Sequence, residues 1–197
     1  SSIATNGGGA IRCVASSATF VNCRFLGGSA NTYGGAFYNE SGSPTAANCL
    51  FSGNAAAGIG GGAVYNSGTG NLRLTNCTIT GNAASSTYGN GGGLSASSST
   101  STISNCIFWN NRDQTGVTEA GQIYKSGGTL SLNYSCVQSW SGSLGGTGNN
   151  GTDPLLADFA AAADATALFI EQGDRLRRDH EALVGRLNEP SGGLGRL

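Results

Sequence analysis

The chain has 197 residues, 34 of them glycine, and only 11% of its side chains are charged, so we expect turn-rich β structure rather than long surface helices in most of it. Its 10 basic and 11 acidic residues leave a net charge of −1 without any basic run, and we expect no nucleic-acid partner. No apolar stretch approaches the roughly 18–20 residues of a membrane-spanning helix, so we expect no membrane span. The sequence opens on Ser1-Ser2-Ile3 without a Met or a signal peptide, which is typical of a processed product or an excised segment.

A short motif, Asn-Cys-x-(Phe/Ile), recurs along the chain at nearly constant intervals. Successive cysteines are separated by 26, 28, 29 and 30 residues, and the last copy is reduced to Tyr-Ser-Cys-Val. A Gly-Gly-Ala or Gly-Gly-Leu segment recurs in phase with it. A fixed period in this range, in short apolar runs between Gly, Ser and Asn, predicts a solenoid. The repeated cysteines are Cys23, Cys49, Cys77, Cys106 and Cys136.

Apolar and polar residues alternate around each cysteine. Cys77 and Ile79 fall on one face of a predicted strand, and the residues beside them fall on the other. The interior of the solenoid is therefore expected to hold the cysteines and a column of large apolar side chains, with Leu74 and Ile103 nearby. That column is Phe25, Phe51, Ile79 and Phe108.

An asparagine stands five residues after three of the cysteines. Stacked asparagines can pass hydrogen bonds from coil to coil, and asparagine tolerates the left-handed backbone that leaves a strand. The Gly-Gly-Ala segment is predicted to form the next strand, because small residues let the backbone run close to the core. The stacked asparagines are Asn54, Asn82 and Asn111.

Short strands joined only by turns must pair with their counterparts one period later. This arrangement predicts an all-β parallel β-helix of about five coils over residues 1–159. The alternative is a β-sandwich of short strands, which would not require the Asn-Cys motif to repeat in register.

The spacing of the cysteines favours an inward ladder of free thiols over disulfides. Side chains in a parallel ladder point the same way, whereas a disulfide needs them turned toward each other. Disulfides between neighbouring coils are the alternative. No Cys-x-x-Cys pair occurs, and the only histidine, His180, lies far from the repeats, so we expect no metal site and no cofactor.

The composition changes after the repeats. Asp164 is a predicted cap for a helix whose apolar residues form one stripe and which ends near Asn188, before Pro190. We therefore predict an α-helical appendage at residues 160–197, which either caps the last coil or acts as an assembly clasp.

The motifs Gly-Gly-Ala-(Ile/Val/Phe) and Asn-Cys-x-(Phe/Ile)-x-x-Asn together resemble the repeats of bacterial right-handed β-helix surface proteins, including the polymorphic outer-membrane adhesins. The segment Asp153-Pro154-Leu155-Leu156-Ala157-Asp158 is similar to one that often follows the last coil of secreted bacterial β-helix proteins. The resemblance covers about residues 7–159 and implies a right-handed β-helix outside the cell. The same repeat serves adhesins, surface-layer components and polysaccharide enzymes. Residues 186–197 resemble the start of nicotinate-nucleotide:dimethylbenzimidazole phosphoribosyltransferases, but none of the catalytic domain is covered and no such activity is implied.

A polysaccharide-cleaving β-helix needs paired carboxylates or acidic calcium ligands. The acids of the first 150 residues, Glu40, Asp113 and Glu119, are predicted to lie in loops of different coils without a shared phase, with Asp113 in a solvated turn, so we expect no catalytic residues. Stacked aromatic side chains can bind sugars or a partner, or they can simply cover the flank of the rod. The predicted contact face is Tyr38, Tyr65 and Trp109.

These observations favour a non-enzymatic, extracellular or cell-surface protein with a structural or adhesive role. Its mechanism would be geometric: a stiff rod offers side faces for contact and two open β ends. Through these ends, copies could associate head to tail into a fibre or surface layer. Glycans and cell-surface proteins are the other expected partners. The alternative is a β-helix that binds or degrades polysaccharide.

Overall fold

The computed structural model describes residues 3–5, 7–85 and 91–156. The chain through Pro154 forms one compact unit, and a second unit begins at Leu155. In the described ranges the fold is all-β, with 19 strands and one helix of a single turn. The predicted helical tail at residues 160–197 lies outside the described residues, as does His180.

The strands form four parallel sheets, and each turn of the chain except the last contributes one strand to each sheet. Sheet A comprises β1 (Ile3–Ala4), β5 (Ser29–Ala30), β9 (Ala55–Ala56) and β13 (Ala83–Ala84). Sheet B comprises β2 (Ile11–Val14), β6 (Phe37–Glu40), β10 (Val64–Ser67), β14 (Leu94–Ser97) and β17 (Ile123–Ser126). Sheet C comprises β3 (Thr19–Val21), β7 (Thr45–Ala47), β11 (Asn71–Thr75), β15 (Thr100–Ser104) and β18 (Thr129–Asn133). Sheet D comprises β4 (Arg24–Leu26), β8 (Leu50–Ser52), β12 (Thr78–Thr80), β16 (Ile107–Trp109) and β19 (Cys136–Val137).

Every strand pairs with its counterpart one turn away, so the predicted parallel β-solenoid is confirmed. Three sheets contain five strands, which correspond to about four full turns from the first strand to the last. This pairing satisfies the backbone N–H and C=O groups between coils, which short strands cannot do within one turn.

The core runs along the axis of the solenoid. The central residues of the sheet D strands point inward in register, and the Phe25 and Phe51 rings stack with centroids 4.6 Å apart. Burial of each such side chain stabilises the fold by about 1.5–3 kcal/mol. The predicted apolar column is therefore confirmed, together with burial of Leu74 and Ile103. Its members are Phe25, Phe51, Ile79 and Phe108, and Val137 continues it.

The chain turns a corner at each Asn-Cys motif, which corrects the predicted strand boundaries. The asparagine of the motif adopts left-handed backbone, with φ of 52° at Asn76 and 53° at Asn105, and the sheet D strand begins only after the cysteine. Asparagine is one of the few residues that tolerates this conformation. The left-handed backbone predicted for Asn54 and Asn82 belongs instead to the glycines immediately before them.

The Gly-Gly pair also lies before its strand rather than within it. Gly61 has a φ of 69°, and β10 begins at Val64. A Cβ atom on Gly62 would collide with the main-chain carbonyl oxygen of Gly92 in the next coil. The glycines are therefore needed for the corner and for close approach of successive coils.

The last turn differs from the others between β16 and β17. There, α1 (Glu119–Gln122) and its preceding loop lie where sheet A would otherwise gain a fifth strand. The Thr118 hydroxyl caps this helix by accepting from the Gly121 N–H at 3.1 Å. In the described part of the chain, no helix is long and apolar enough to span a bilayer.

The end of the described rod that carries β18 and β19 is partly covered, which corrects the expectation of two open β ends. Residues 144–152 fold back over these strands, and Tyr134 and Val137 donate their N–H groups to the carbonyls of Thr147 and Asn150, both at 2.8 Å. Asn149 adds a side-chain hydrogen bond to the Leu132 carbonyl at 2.7 Å. Main-chain groups that an added coil would use already have partners there.

Candidate functional site

The outer face of sheet B carries three packed tyrosines. Tyr38 in β6 and Tyr65 in β10 are paired directly in the parallel register and point outward, because Phe37 and Val64 before them point into the core. Tyr33, from the segment between β5 and β6, packs against both rings, with centroids 5.1 Å from Tyr38 and 4.7 Å from Tyr65. We call Tyr33, Tyr38 and Tyr65 the tyrosine cluster.

Most of the tyrosine cluster is shielded from solvent. Tyr38 and Tyr65 are each only 7% exposed, whereas Tyr33 is half-buried. Burial raises the pKa of the Tyr38 and Tyr65 phenols, although contacts with the Ser67 and Ser97 hydroxyls partly oppose this shift. The two strand tyrosines cover the flank of the sheet, and Tyr33 is the more accessible member for a ligand.

A charged pair borders the tyrosine cluster. Arg12 in β2 and Glu40 in β6 form an ion pair with 2.6 Å between the Arg12 Nη2 and Glu40 Oε2 atoms. The guanidinium carbon of Arg12 also lies 5.3 Å from the centre of the Tyr38 ring, which is a cation–π contact. An aromatic surface with a cation and an anion at its edge suits a polar ligand that stacks and accepts or donates hydrogen bonds.

Trp109 lies on a different face. It ends β16 in sheet D and is in register with Thr80, while the tyrosine cluster belongs to sheet B. Alternation in β16 points Trp109 outward because its neighbour Phe108 is fully buried in the core. The prediction of one contact face from Tyr38, Tyr65 and Trp109 is therefore wrong.

Four of the repeated cysteines stack at the corner between sheets C and D. The N–H groups of Leu50, Thr78 and Ile107 each donate to the carbonyl of a cysteine one turn earlier, so the cysteines lie above one another. Each thiol also donates to the carbonyl two residues before it, at 3.2–3.4 Å. All six cysteines of the chain are free, and three of the four stacked ones are buried while Cys23 is half-buried. We call the stacked residues the thiol column: Cys23, Cys49, Cys77 and Cys106.

Cys136 does not belong to the thiol column, which corrects the predicted ladder. The parallel register pairs Cys136 with Ile107, on the outer side of sheet D, and Ser135 takes the place in the column. The Cys106 N–H donates to Ser135 Oγ at 3.1 Å, just as the Cys77 N–H donates to Cys106 Sγ at 3.4 Å. The last interval between cysteines is one residue longer than the preceding one, so alignment by cysteine is shifted by one residue there.

The predicted asparagines form a hydrogen-bonded column. Asn54 Nδ2 donates to Asn82 Oδ1, and Asn82 Nδ2 donates to Asn111 Oδ1, both at 2.8 Å. The column ends on Gln122 of α1, whose Oε1 accepts from Asn111 Nδ2 at 2.9 Å. All four amides are at most 1% exposed, so these hydrogen bonds replace those that water would make. We call Asn54, Asn82, Asn111 and Gln122 the amide column.

The sequence analysis missed two further buried amides. Asn39 and Asn66 point into the core from β6 and β10, and Asn39 Nδ2 donates to Asn66 Oδ1 at 2.7 Å. Counting by twos from Phe37 and Val64 places both asparagines on the inward face, which is the signal that could have found them. Gln122 had no such signal, because it lies outside the repeat spacing.

Two of the described carboxylates, Asp113 and Glu119, are buried in one segment between β16 and β17, so the prediction that they lie in loops of different coils is wrong. Asp113 is 7% exposed and accepts from the Thr115 N–H at 2.8 Å and hydroxyl at 2.6 Å, so the prediction that it lies in a solvated turn is wrong. Glu119 is 9% exposed, and its Oε2 accepts from the N–H and hydroxyl of Ser141 and from the Ser143 hydroxyl. These hydrogen bonds join α1 to the turn that contains Ser141 and Ser143 and leads into residues 144–152. Among the residues that the structure describes, no three His, Cys, Asp or Glu side chains are grouped to hold one metal ion.

A family model described as a right handed beta helix region matches residues 1–140. The chain belongs to the right-handed β-helix family. The matched residues include every strand of sheets A to D and end before residues 144–152, so the family match and the solenoid agree. No curated protein and no solved structure matches this β-helix. Membership is consistent with a surface or polysaccharide-related protein, and a shared fold alone does not distinguish a binding protein from an enzyme.

Proposed function

We propose that this β-helix is a non-enzymatic structural or adhesive protein that acts outside the cell or at the cell surface. The observation that carries the proposal is the tyrosine cluster with the Arg12–Glu40 ion pair at its edge. These groups offer stacking, cation and anion contacts on the side of a rod, which suits a glycan or a polar patch of a cell-surface protein.

The coils below this face keep it rigid. Main-chain pairing fixes the register of sheet B, and Phe37 and Val64 anchor the two strand tyrosines from the core side. A preorganised face loses little conformational entropy when a partner binds. Binding without chemical change is the activity that such a face supports.

Binding to a glycan array and to a panel of cell-surface proteins tests this proposal. Tyr33→Ala should weaken binding by about tenfold or more, because a central aromatic contact is worth at least about 1.4 kcal/mol. Tyr134→Ala is the matched control, since Tyr134 is 65% exposed but lies at the corner that follows β18 of sheet C. Equal effects of the two substitutions would contradict a role for the tyrosine cluster.

Self-association is the second part of the proposal. In the described chain, β2, β3 and β4 have a neighbouring strand on one side only. The outward residues Val14 and Leu26 of this first coil are 54% and 52% exposed, whereas the next coil has Glu40 and Ser52 at the same register positions. An unpaired edge with an apolar rim favours contact with another chain.

Head-to-tail growth into a fibre or surface layer would require residues 144–152 to move away from β18 and β19. Light scattering and negative-stain microscopy over a concentration series measure this directly. We expect concentration-dependent polymers that are lost when Val14 and Leu26 are both replaced by serine. A monomer at every concentration would contradict the self-association.

Binding or degradation of polysaccharide is the alternative function. It is favoured by the two buried carboxylates Asp113 and Glu119, which lie in one segment rather than in separate coils. Two carboxylates are the minimum that glycoside hydrolysis requires. Release of reducing ends from polysaccharides that disappears in both Asp113→Asn and Glu119→Gln would establish this alternative over the non-enzymatic one.

A further inference from the structure

The thiol column stacks soft metal-binding atoms inside the solenoid. The Thr78 N–H donates to the Cys49 carbonyl and the Ile107 N–H donates to the Cys77 carbonyl, both at 2.9 Å, so Cys49, Cys77 and Cys106 follow one another in successive coils. The Cys77 N–H also donates to Cys106 Sγ at 3.4 Å, which brings the sulfur of one coil to the backbone of its neighbour.

The linear arrangement of the thiols determines how many sulfur ligands an ion in the column can have. An ion between two successive members has two sulfur ligands, because the next thiol lies a further coil away along the same line. Zinc takes four ligands and is excluded by this geometry. Thiolates prefer soft cations, and some soft cations, such as Cu(I), Ag(I) and Hg(II), take two ligands in line.

The spacing between coils fits such an ion. A metal–thiolate bond is about 2.3 Å long, taking zinc as the reference, so two bonds in line span roughly 4.6 Å. Parallel strands repeat at about 4.8 Å. Two thiolates around one divalent ion are neutral, which suits an apolar core where a net charge is costly.

We propose that successive thiols of the column act as two-coordinate sites for soft thiophilic cations, with one ion held between Cys77 and Cys106 and one between Cys23 and Cys49. With Hg(II), each site forms two S–Hg bonds and releases two thiol protons to solvent, without oxidation or reduction. Cys23, the half-buried member at the first coil, gives the column its contact with solvent.

Two double variants test the pairing, because they remove the same number of thiols. Cys49→Ser/Cys106→Ser leaves Cys23 and Cys77, which are not neighbours, while Cys77→Ser/Cys106→Ser leaves the neighbours Cys23 and Cys49. Serine is a suitable replacement, since Ser135 already occupies the equivalent position and accepts the same N–H hydrogen bond. The reduced chain would be loaded with Hg(II), challenged with an excess of a single-thiol competitor, desalted and analysed for bound mercury.

We expect about two retained ions in the parent chain, about one when Cys23 and Cys49 remain, and fewer than one when Cys23 and Cys77 remain. The control substitutions Cys13→Ser and Cys136→Ser should retain the full amount, because neither residue belongs to the column. Circular dichroism and thermal melting would establish that each variant is folded, and each single column substitution provides a milder variant that should retain about one ion. Equal retention by the two double variants, loss in the Cys13 or Cys136 controls, or consumption of the column thiols by disulfide formation without bound mercury would overturn the proposal.

Discussion

The middle coils and the last coil of this rod close the same solenoid with different chemistry. In the middle coils, each corner has an asparagine in left-handed backbone followed by a buried cysteine, as at Asn76 and Cys77. In the last coil, Tyr134 and Ser135 take those two places, and Gln122 ends the amide column from a helix outside the repeat.

The two regions differ in residues that recur in the repeat but share the features that the fold requires. The corner requires a left-handed residue and then a small side chain that donates to the carbonyl two residues earlier. Cys106 Sγ does this at 3.3 Å, and Ser135 Oγ does it at 2.9 Å. A thiol is therefore replaceable at this position, whereas the hydrogen-bonding geometry is retained.

The largest loss in the free energy of unfolding, and the largest difference between the two regions, is expected from substitutions in the apolar column. Phe51→Ala should lower the free energy of unfolding by about 4 kcal/mol, because it leaves a large cavity beside Phe25 in the middle of the rod. Val137→Ala at the last coil removes fewer atoms and should cost about 2 kcal/mol. Urea unfolding of both variants measures the difference, and a larger loss at Val137 would contradict the assignment of the core.

Removal of a middle member of the amide column is expected to cost nearly as much. Asn82→Ala should lower the free energy of unfolding by about 3 kcal/mol, since Asn54 and Asn111 would each lose a buried partner. Asn31→Ala, at an exposed side chain, is the matched control and should cost less than about 0.5 kcal/mol. Similar denaturation midpoints for the two variants would show that the column does not stabilise the fold.

Substitution of the left-handed corner residue should change the free energy of unfolding by a smaller amount, with opposite signs in the two regions. Asn76→Ala should destabilise by about 1–2 kcal/mol, because alanine is strained at a φ of 52°. Tyr134→Asn should stabilise by up to about 1 kcal/mol, since Tyr134 has the same φ of 52° and is 65% exposed. Thermal melting of both variants measures the two effects. If both substitutions changed the melting temperature in the same direction, Asn76 and Tyr134 would not occupy equivalent corner positions.

The tyrosine cluster should give the smallest effect, and only at high pH. Burial raises the pKa of the Tyr65 phenol in the folded state, so its contribution to stability is present below the unfolded pKa of about 10 and is lost as the pH rises through the folded value. The free energy of unfolding should therefore fall above about pH 10, and less steeply in Tyr65→Phe. Phenol absorbance and urea unfolding at a series of pH values measure both quantities, and identical slopes for the two chains would contradict the burial.

The sequence predicted the architecture because the repeat itself encodes the pairing. Cys77 and Ile79 could be assigned to the interior by period-two alternation, and Asn82 to a column by its constant spacing from the cysteine. The predicted strand boundaries were wrong, because left-handed corners such as Asn76 break the alternation without changing the residue spacing.

The candidate site was less accessible to sequence reasoning. Tyr38 and Tyr65 were correctly placed beside each other, but the separation of Trp109 from them depends on which sheet each strand joins. The burial of Asp113 and Glu119 depends on hydrogen bonds to residues outside the repeat, such as Ser141, and no periodic pattern indicates those contacts.

The register of the last coil determines whether Ser135 or Cys136 follows Cys106 in the thiol column. Alkylation of the native chain with a thiol reagent, followed by mass spectrometry of each cysteine peptide, measures it directly. We expect rapid modification of the half-buried Cys136 and Cys23 and slow modification of Cys49, Cys77 and Cys106, which are at most 3% exposed. Protection of Cys136 equal to that of Cys106 would place it inside the column and contradict the register described for β19.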